Sequence, residues 1–376
     1  MQYLTESSKN KFNDYKFQKY INIELTPNLI SLFDKMFIAA NKDIKLISHF
    51  CDTKIIKNVF IDFDENINEI SNSIFQKSVL NIPNTSCFKL TINSSIITLI
   101  FLFETYDYSY VSAIIHAINT FCHTFNYDYN NLTIYVCLDD NERNLVEPYY
   151  NNNIYDRQKK LSQAFNVSGV TQRGKKTIIL TKKQEIIKLL YHEMVHYIGL
   201  DHELLSIDIK FNWNTVRQKM NLSEVYAEFM AVVLNSIFQS IHIYCSNTIN
   251  NNRYDIFKNI LCLETTYSLW LTARIMKFFG YNFEKVDDFF NGIGKIKYDC
   301  PILIWEYIIL RSQLLLNIGH IDVNDWKINT NNINDTVQLI LIDDNFIHLV
   351  KSFIKNIKDS DKNISYNLID IDWNII

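Results

Sequence analysis

The stretch YHEMVHYIGLDHEL, residues 191–204, decides how the rest of the chain is interpreted. It contains the pattern H-E-x-x-H, with His192 and His196 four positions apart. Positions four apart lie on one face of an α-helix, so both imidazoles can bind one Zn²⁺ at about 2.0–2.1 Å. The carboxylate of Glu193 can then reach a zinc-bound water and take its proton as a general base. The stretch therefore predicts a helix that carries a hydrolytic metal site with one zinc ion.

The residues around the motif predict a strand followed directly by this helix. KKTIILT (175–181) is typical of a strand, and we expect its edge to hold an extended substrate. Thr181 and Gln184 form a T-x-x-Q capping box, which predicts a helix over residues 182–198. Gly199 stands where a left-handed residue would end that helix.

Patterns elsewhere predict an α+β fold, with a mixed α/β N-terminal half and a mainly α-helical C-terminal half. Helices are expected at 25–40, where Thr26 caps and Pro27 starts the helix, and at 109–125. Strands are expected at 57–64, at 87–105 as a hairpin bent near 93–95, and at 132–140. Further helices are expected at 222–244, 255–279, 301–317 and 335–356. We expect an N-terminal α/β region of unknown role at 1–150 and a catalytic region at 151–376.

One candidate for a third zinc ligand is His202. The sequence from His192 to His202 fits H-E-x-x-H-x-x-G-x-x-H and resembles the metzincin pattern, in which the glycine turns the chain and the last histidine completes the site. That family also has a methionine turn beneath the metal. Met220 is the nearest candidate for it, but residues 200–250 contain neither glycine nor proline to form a tight turn.

The other candidate is Glu224, in the segment NLSEVYAEFMAVVLNSIF (221–238). Asn221 and Glu224 predict a capping box at the start of an amphipathic helix. Glu224 and Glu228 lie four apart on one face among apolar residues, where two carboxylates are costly without a positive partner. This arrangement resembles the gluzincin pattern, which implies Glu224 as the third ligand and Glu228 as the acid that orients a ligand histidine. We favour Glu224, and His202 stays open as the alternative.

The two helices together also resemble uncharacterised metallopeptidase-like proteins encoded by large DNA viruses. HEMVHYIGLD followed by EVYAEFMAVVLNSIF carries this likeness, which extends over about residues 160–320. The resemblance implies a zincin-like metallopeptidase core that hydrolyses a peptide or protein substrate. The alternative is a catalytically silent structural or interaction protein, such as a virion component, that keeps the fold. An oxyanion donor is not singled out among the candidates His242, Tyr267, Arg274, Tyr307 and His320.

Composition narrows the setting in which the protein acts. Only 7 glycines and 4 prolines occur among 376 residues, and abundant Asn, Ile, Lys and Tyr indicate an AT-rich genome, as in a parasite or a large DNA virus. The net charge of −4, without a basic block, argues against nucleic-acid and membrane-surface binding. The polar N-terminus is not a secretory signal, and seven cysteines without a CxxC pair favour a reducing compartment. We therefore expect an intracellular protein, in the host cytoplasm or the virion.

Overall fold

A computed structural model gives the fold of most of the chain. The described residues are 4–5, 8–9, 21–49, 84–103, 107–137, 168–172, 174, 176–246, 252–294, 297–298, 303–321, 324–357, 365–366, 368–369 and 373. The chain divides into two compact units, whose segments alternate along the sequence. The α/β unit consists of Leu32–Asn141, Val167–Ile198 and Trp373–Ile376, and the helical unit consists of Met1–Ser31, Glu142–Asn166 and Gly199–Asp372. The predicted boundary at residue 150 stays a prediction, and the predicted strand at 57–64 lies outside the described residues.

A six-stranded mixed sheet is the centre of the α/β unit. Its strands are β1 (Lys45–His49), β2 (Asn84–Ile92), β3 (Ser95–Phe103), β4 (Leu132–Cys137), β5 (Gly169–Gln172) and β6 (Thr177–Leu180), in the spatial order β1-β2-β3-β4-β6-β5. Strands β3, β4 and β6 are parallel, whereas β1, β2 and β5 run antiparallel to their neighbours. The predicted α+β class is confirmed. The zincin-like core stays a prediction.

The hairpin predicted near residues 93–95 is confirmed. Strands β2 and β3 pair from Ile92↔Ser95 outward, and the two residues between them have positive φ values, 48° at Asn93 and 69° at Ser94. A two-residue turn with both φ angles positive matches the right-handed twist of the flanking strands. Asparagine tolerates this backbone conformation better than most residues, so the local sequence sets the register of the pair.

Three helices belong wholly or mostly to this unit: α1 (Pro27–Ala40), α2 (Tyr108–Thr124) and α3 (Ile186–Ile198). The predicted start of α1 is confirmed, because the Leu29 N–H donates to Thr26 Oγ1 at 3.3 Å. The predicted capping box of α3 is wrong. Thr181 donates both its N–H (2.8 Å) and its hydroxyl (2.9 Å) to the carbonyl of Ser168, and the helix begins only at Ile186. Gly199 ends this helix with φ +70°, as predicted.

The substrate edge predicted on strand 175–181 is also misplaced. That strand is β6, and it pairs with β4 on one side and with β5 on the other. Both edges of β6 are therefore occupied. Among the described strands, β5 is the last one in the sheet order on this side.

The helical unit begins, after a 3₁₀ turn at His202–Ser206, with two long helices, α4 (Leu222–Ser246) and α5 (Arg253–Phe278). They confirm the helices predicted at 222–244 and 255–279. The remaining elements are α6 (Val286–Phe290), a π-helical turn (Trp305–Leu310) that leads into α7 (Arg311–Leu316), 3₁₀ turns at Ile318–His320 and Asn324–Trp326, α8 (Ile333–Ile340) and α9 (Asp344–Ile354).

The prediction of one continuous helix over 335–356 is wrong, because two helices, α8 and α9, occupy this range. The chain breaks between α8 and α9, where the Asp343 carboxylate accepts the Phe346 N–H at 2.7 Å. An aspartate in this position satisfies an otherwise unpaired donor of a new helix, so it starts α9 rather than continuing α8.

Helix α4 is long and apolar enough to cross a membrane by length and composition alone. However, 72% of its most apolar window is buried within the fold. Ala227, Phe229 and Met230 are all fully covered. This burial is what the core helix of a soluble protein shows.

A short C-terminal segment is held in the helical unit by buried polar side chains. The Glu264 carboxylate accepts the N–H groups of Leu368 (2.9 Å) and Ile369 (2.7 Å). The Tyr267 hydroxyl donates to the Ser365 carbonyl at 3.0 Å. Because these groups are removed from water, each bond replaces hydration that the folded chain has lost.

We expect Glu264→Gln to lower the free energy of unfolding by about 1.5–3 kcal/mol, because the amide NH₂ would face one of two backbone donors and the charge-assisted bonds would be lost. Glu284→Gln is the matched control, since Glu284 is exposed. Urea denaturation measures both variants. Equal stabilities would contradict the assigned role of Glu264.

Candidate metal centre

The two histidines of the H-E-x-x-H motif lie on successive turns of α3, as predicted. His192 is buried and His196 is half-buried. Their Nε2 atoms are 3.1 Å apart, and their rings are inclined at 79°. Two nitrogen ligands of a tetrahedral zinc ion stand about 3.3 Å apart at ordinary Zn–N distances. The pair therefore presents two nitrogens at a spacing that fits one cation.

Glu193, the predicted general base, is 4% exposed and faces strand β5 of the same unit. Its Oε2 atom lies 2.6 Å from the Thr171 hydroxyl oxygen. A Cβ atom added to Gly169 would come within 2.5 Å of its Oε1 atom. The carboxylate is therefore enclosed by the β5 backbone on one side and bound by a hydroxyl on the other.

The first turn of α4 is held by two acids from elsewhere in the helical unit. Asp201, which is fully buried, accepts a hydrogen bond from the Ser223 hydroxyl. The Asn221 N–H donates to Glu306 Oε1 at 3.0 Å, so the acceptor expected from Glu224 in a capping box is supplied by Glu306. The second half of the predicted capping box is therefore wrong.

Glu306 is a fully buried acid at the start of the π-helical turn. Burial raises the pKa of its carboxyl group, and the Arg217 guanidinium and the Asn221 N–H oppose that rise. The Arg217 Nη2 atom lies 2.8 Å from Glu306 Oε2. The π-helical turn thus places Glu306, paired with Arg217, where its carboxylate accepts a hydrogen bond from the Asn221 N–H just before α4.

Glu228, predicted to orient a ligand histidine, forms a buried ion pair. Arg311 Nη1 donates to Glu228 Oε1 at 3.1 Å, and the side chains are 0% and 4% exposed, respectively. Arg311 also donates to the Tyr366 carbonyl (2.9 Å) and the Ser268 hydroxyl (3.0 Å). The positive partner that the sequence required for this carboxylate is thus an arginine, and the second role of Glu228, toward a histidine, stays a prediction.

The predicted ligands are divided between the two units. His192 and His196 lie on α3 of the α/β unit, and Glu224 lies in the first turn of α4 in the helical unit. Glu224 is half-buried, and its role as the third ligand stays a prediction. His202, the alternative ligand, is exposed at the start of the 3₁₀ turn.

Two of the candidate oxyanion donors, Tyr267 and Arg274, are buried inside the helical unit. The Tyr267 hydroxyl, which is fully buried, binds the backbone of Ser365 as both donor and acceptor. Arg274 is also fully buried. The choice of an oxyanion donor among the five candidates stays open.

Sequence analysis did not identify Arg311, Thr171 or Gly169 as residues that contact the predicted site residues. Arg311 carries a recognisable signal, because an arginine inside the apolar run IILRSQLLL requires a buried acceptor. Thr171 and Gly169 carry no such signal. Their contact with Glu193 depends on how β5 pairs with β6, which the local sequence does not encode.

Comparison with known proteins identifies the family of this chain. It is 48% identical over 379 residues to "Uncharacterized protein R210" of Acanthamoeba polyphaga mimivirus, and the alignment covers 99% of this chain and 98% of that protein. The chain belongs to the family of this mimivirus protein, which supports the predicted likeness to viral proteins. No family model matches the chain, and no solved structure matches it.

The Arg311–Glu228 pair should be strongly coupled. Arg311→Met leaves a carboxylate buried without its cation and should cost about 3–5 kcal/mol of unfolding free energy. The double variant Arg311→Met with Glu228→Met removes both charges and should recover at least half of that loss. The bonds from Arg311 to Tyr366 and Ser268 are absent from both variants, so they cancel in the comparison. Urea denaturation of metal-free protein measures both, and a double variant less stable than Arg311→Met would overturn the coupling.

Proposed function

We propose that this protein is a zinc-dependent metallopeptidase of gluzincin type that hydrolyses peptide bonds. The observation that carries the proposal is the H-E-x-x-H helix itself, where two ring nitrogens stand at ligand spacing and the glutamate that follows the first histidine is buried. The gluzincin-like pattern adds Glu224, in the first turn of α4, to His192 and His196 as the proposed third ligand of one zinc ion. Two imidazoles and one carboxylate form a common ligand set of catalytic zinc sites.

In the proposed reaction, the metal and two glutamates have separate roles. Zinc, when bound, polarises the scissile carbonyl and lowers the pKa of water toward about 7. Glu193 accepts a proton from the attacking water, holds it on its carboxyl group and returns it to the leaving amine. Glu228, held by Arg311, lies one turn after Glu224 on α4, and we assign it the role of orienting a ligand histidine. Peptide hydrolysis then adds one water across the C–N bond and leaves Glu193 as it began.

Strand β5 supports a peptide substrate over a small molecule. It is the terminal strand of the described sheet, and Thr171 on this strand touches the proposed base. An extended peptide can pair with such an edge through main-chain hydrogen bonds, which fixes its backbone without requiring a particular sequence. The substrate class is therefore an extended peptide or protein segment, within the host cytoplasm or the virion.

The alternative is a structural or interaction protein that keeps the fold and cuts nothing. Such a protein has no use for a glutamate between two histidines. The enclosure of Glu193 by Gly169 and Thr171 favours a defined task for this carboxylate, and hence the enzyme.

Glu193→Gln should abolish activity without removing the metal. Loss of a positioned general base lowers kcat by about 10²–10⁴-fold. Zinc content, measured by atomic absorption, should stay near one ion per chain, because the ligands are unchanged. A quenched-fluorescent peptide library reports cleavage. Bound zinc in both proteins with cleavage by neither would support the structural alternative instead.

The third ligand can be assigned by comparing two variants. Glu224→Ala should lose zinc under mild chelation, since two imidazoles alone bind the ion far more weakly than three ligands do. His202→Ala should keep zinc at the wild-type level, because His202 is exposed and is not among the proposed ligands. The opposite pattern, with zinc retained by Glu224→Ala and lost by His202→Ala, would identify a metzincin site.

A further inference from the structure

We propose that strand β5 is the positioning element of the general base, through Thr171 and Gly169. This inference rests on the proposed function, because Glu193 needs a fixed orientation only if it transfers protons. Residues two apart on a strand point to the same face, so positions 169 and 171 both face α3. Neither residue touches the proposed metal ligands in the contacts described for them.

Thr171 binds one oxygen of the carboxylate. Its hydroxyl oxygen lies 2.6 Å from Glu193 Oε2 and 3.0 Å from the Glu193 main-chain carbonyl. A hydroxyl has one proton to give, and the charged, closer oxygen is the stronger acceptor. The bond therefore goes to Oε2 and limits rotation of the carboxylate about its last torsion. The other oxygen, Oε1, lies on the side of Gly169.

Gly169 makes room for that second oxygen. A Cβ atom at this position would lie 2.5 Å from Glu193 Oε1 and 2.8 Å from Leu189 Cδ1. No real Cβ atom stands so close to an oxygen, so any other residue would displace the carboxylate or the helix. Glycine at position 169 thus sets the distance between β5 and the base.

The same strand has two functions in this arrangement. One face of β5 fixes Glu193, while its outer edge in the described sheet is the proposed binding site for an extended peptide. A general base must come within about 2.6–3.2 Å of the proton that it takes, and a displacement of about 1 Å can cost 10²-fold in rate. Because the strand that fixes the base on α3 also binds the peptide, the distance between base and peptide is set by one element.

Kinetics of zinc-loaded protein distinguish positioning from general damage. Thr171→Val removes the hydroxyl at nearly constant volume and should lower kcat by about 10- to 100-fold, with KM and zinc content near wild type. Thr171→Ser keeps the hydroxyl and should stay within about threefold of wild type. Equal losses in the valine and serine variants would overturn the role of the hydroxyl.

Gly169→Ala has a matched control in the same hairpin. A Cβ at Gly174 would meet nothing within 4 Å, so Gly174→Ala should keep wild-type kcat, whereas Gly169→Ala should reduce kcat at least about tenfold. Equal kcat values in the two variants would overturn the steric part. If Gly169→Ala does not fold, the comparison of Thr171 variants decides alone.

A measurement without metal or activity separates this inference from the proposed function. In metal-free protein, Thr171→Val should lower the thermal midpoint more in the presence of Glu193 than in the Glu193→Ala background, because only the first pair loses a hydrogen bond. Strict additivity would overturn the positioning contact. Coupling without any peptide cleavage by zinc-loaded wild type would instead reject the peptidase and reduce the contact to a structural one.

Discussion

Two imidazole nitrogens 3.1 Å apart on adjacent turns of one helix are the constraint on which the site depends. Two neutral rings can share one hydrogen bond, but two protonated rings would repel each other at that distance. A divalent cation removes the conflict, because both nitrogens can then act as ligands. This spacing exists only while α3 stays regular through residues 192–196. The apolar residues that bury α3, such as Leu190, Met194 and Val195, therefore hold the ligand geometry as well as the fold.

The late start of α3 explains how Glu193 comes to face a strand. Thr181 could have capped a helix, but it donates its N–H and its hydroxyl to Ser168 and so extends the pairing of β5 with β6 by one residue. That extension puts Gly169 opposite Leu180, in register with the sheet. With β5 fixed in this register, Gly169 and Thr171 meet Glu193. The absence of the predicted capping box and the contact of β5 with Glu193 therefore have one cause, which is the competition of sheet pairing with helix capping.

The sequence predicts those parts of the fold whose cause is local. The hairpin at Asn93, the start of α1 at Pro27 and the end of α3 at Gly199 each follow from the backbone preferences of one or two residues. The H-E-x-x-H pair is predictable for the same reason, since helical periodicity alone sets its geometry. What the sequence does not supply is the distant partner. Glu306 lies 85 residues from Asn221, and Arg311 lies 83 residues from Glu228, and no spacing rule connects either pair.

Buried acids in the helical unit show why the argument for a metal must begin at the histidines. Glu228 is neutralised by Arg311, Glu306 by Arg217, and Glu264 by two backbone N–H groups. An acid on an apolar helix therefore does not require a metal ion, because an arginine or a chain segment satisfies it equally well. The H-E-x-x-H motif is more specific than an acid on an apolar helix, because it combines two imidazoles at ligand spacing with a glutamate between them. The proposal of a metal site therefore begins at α3, and Glu224 enters it only as the proposed third ligand.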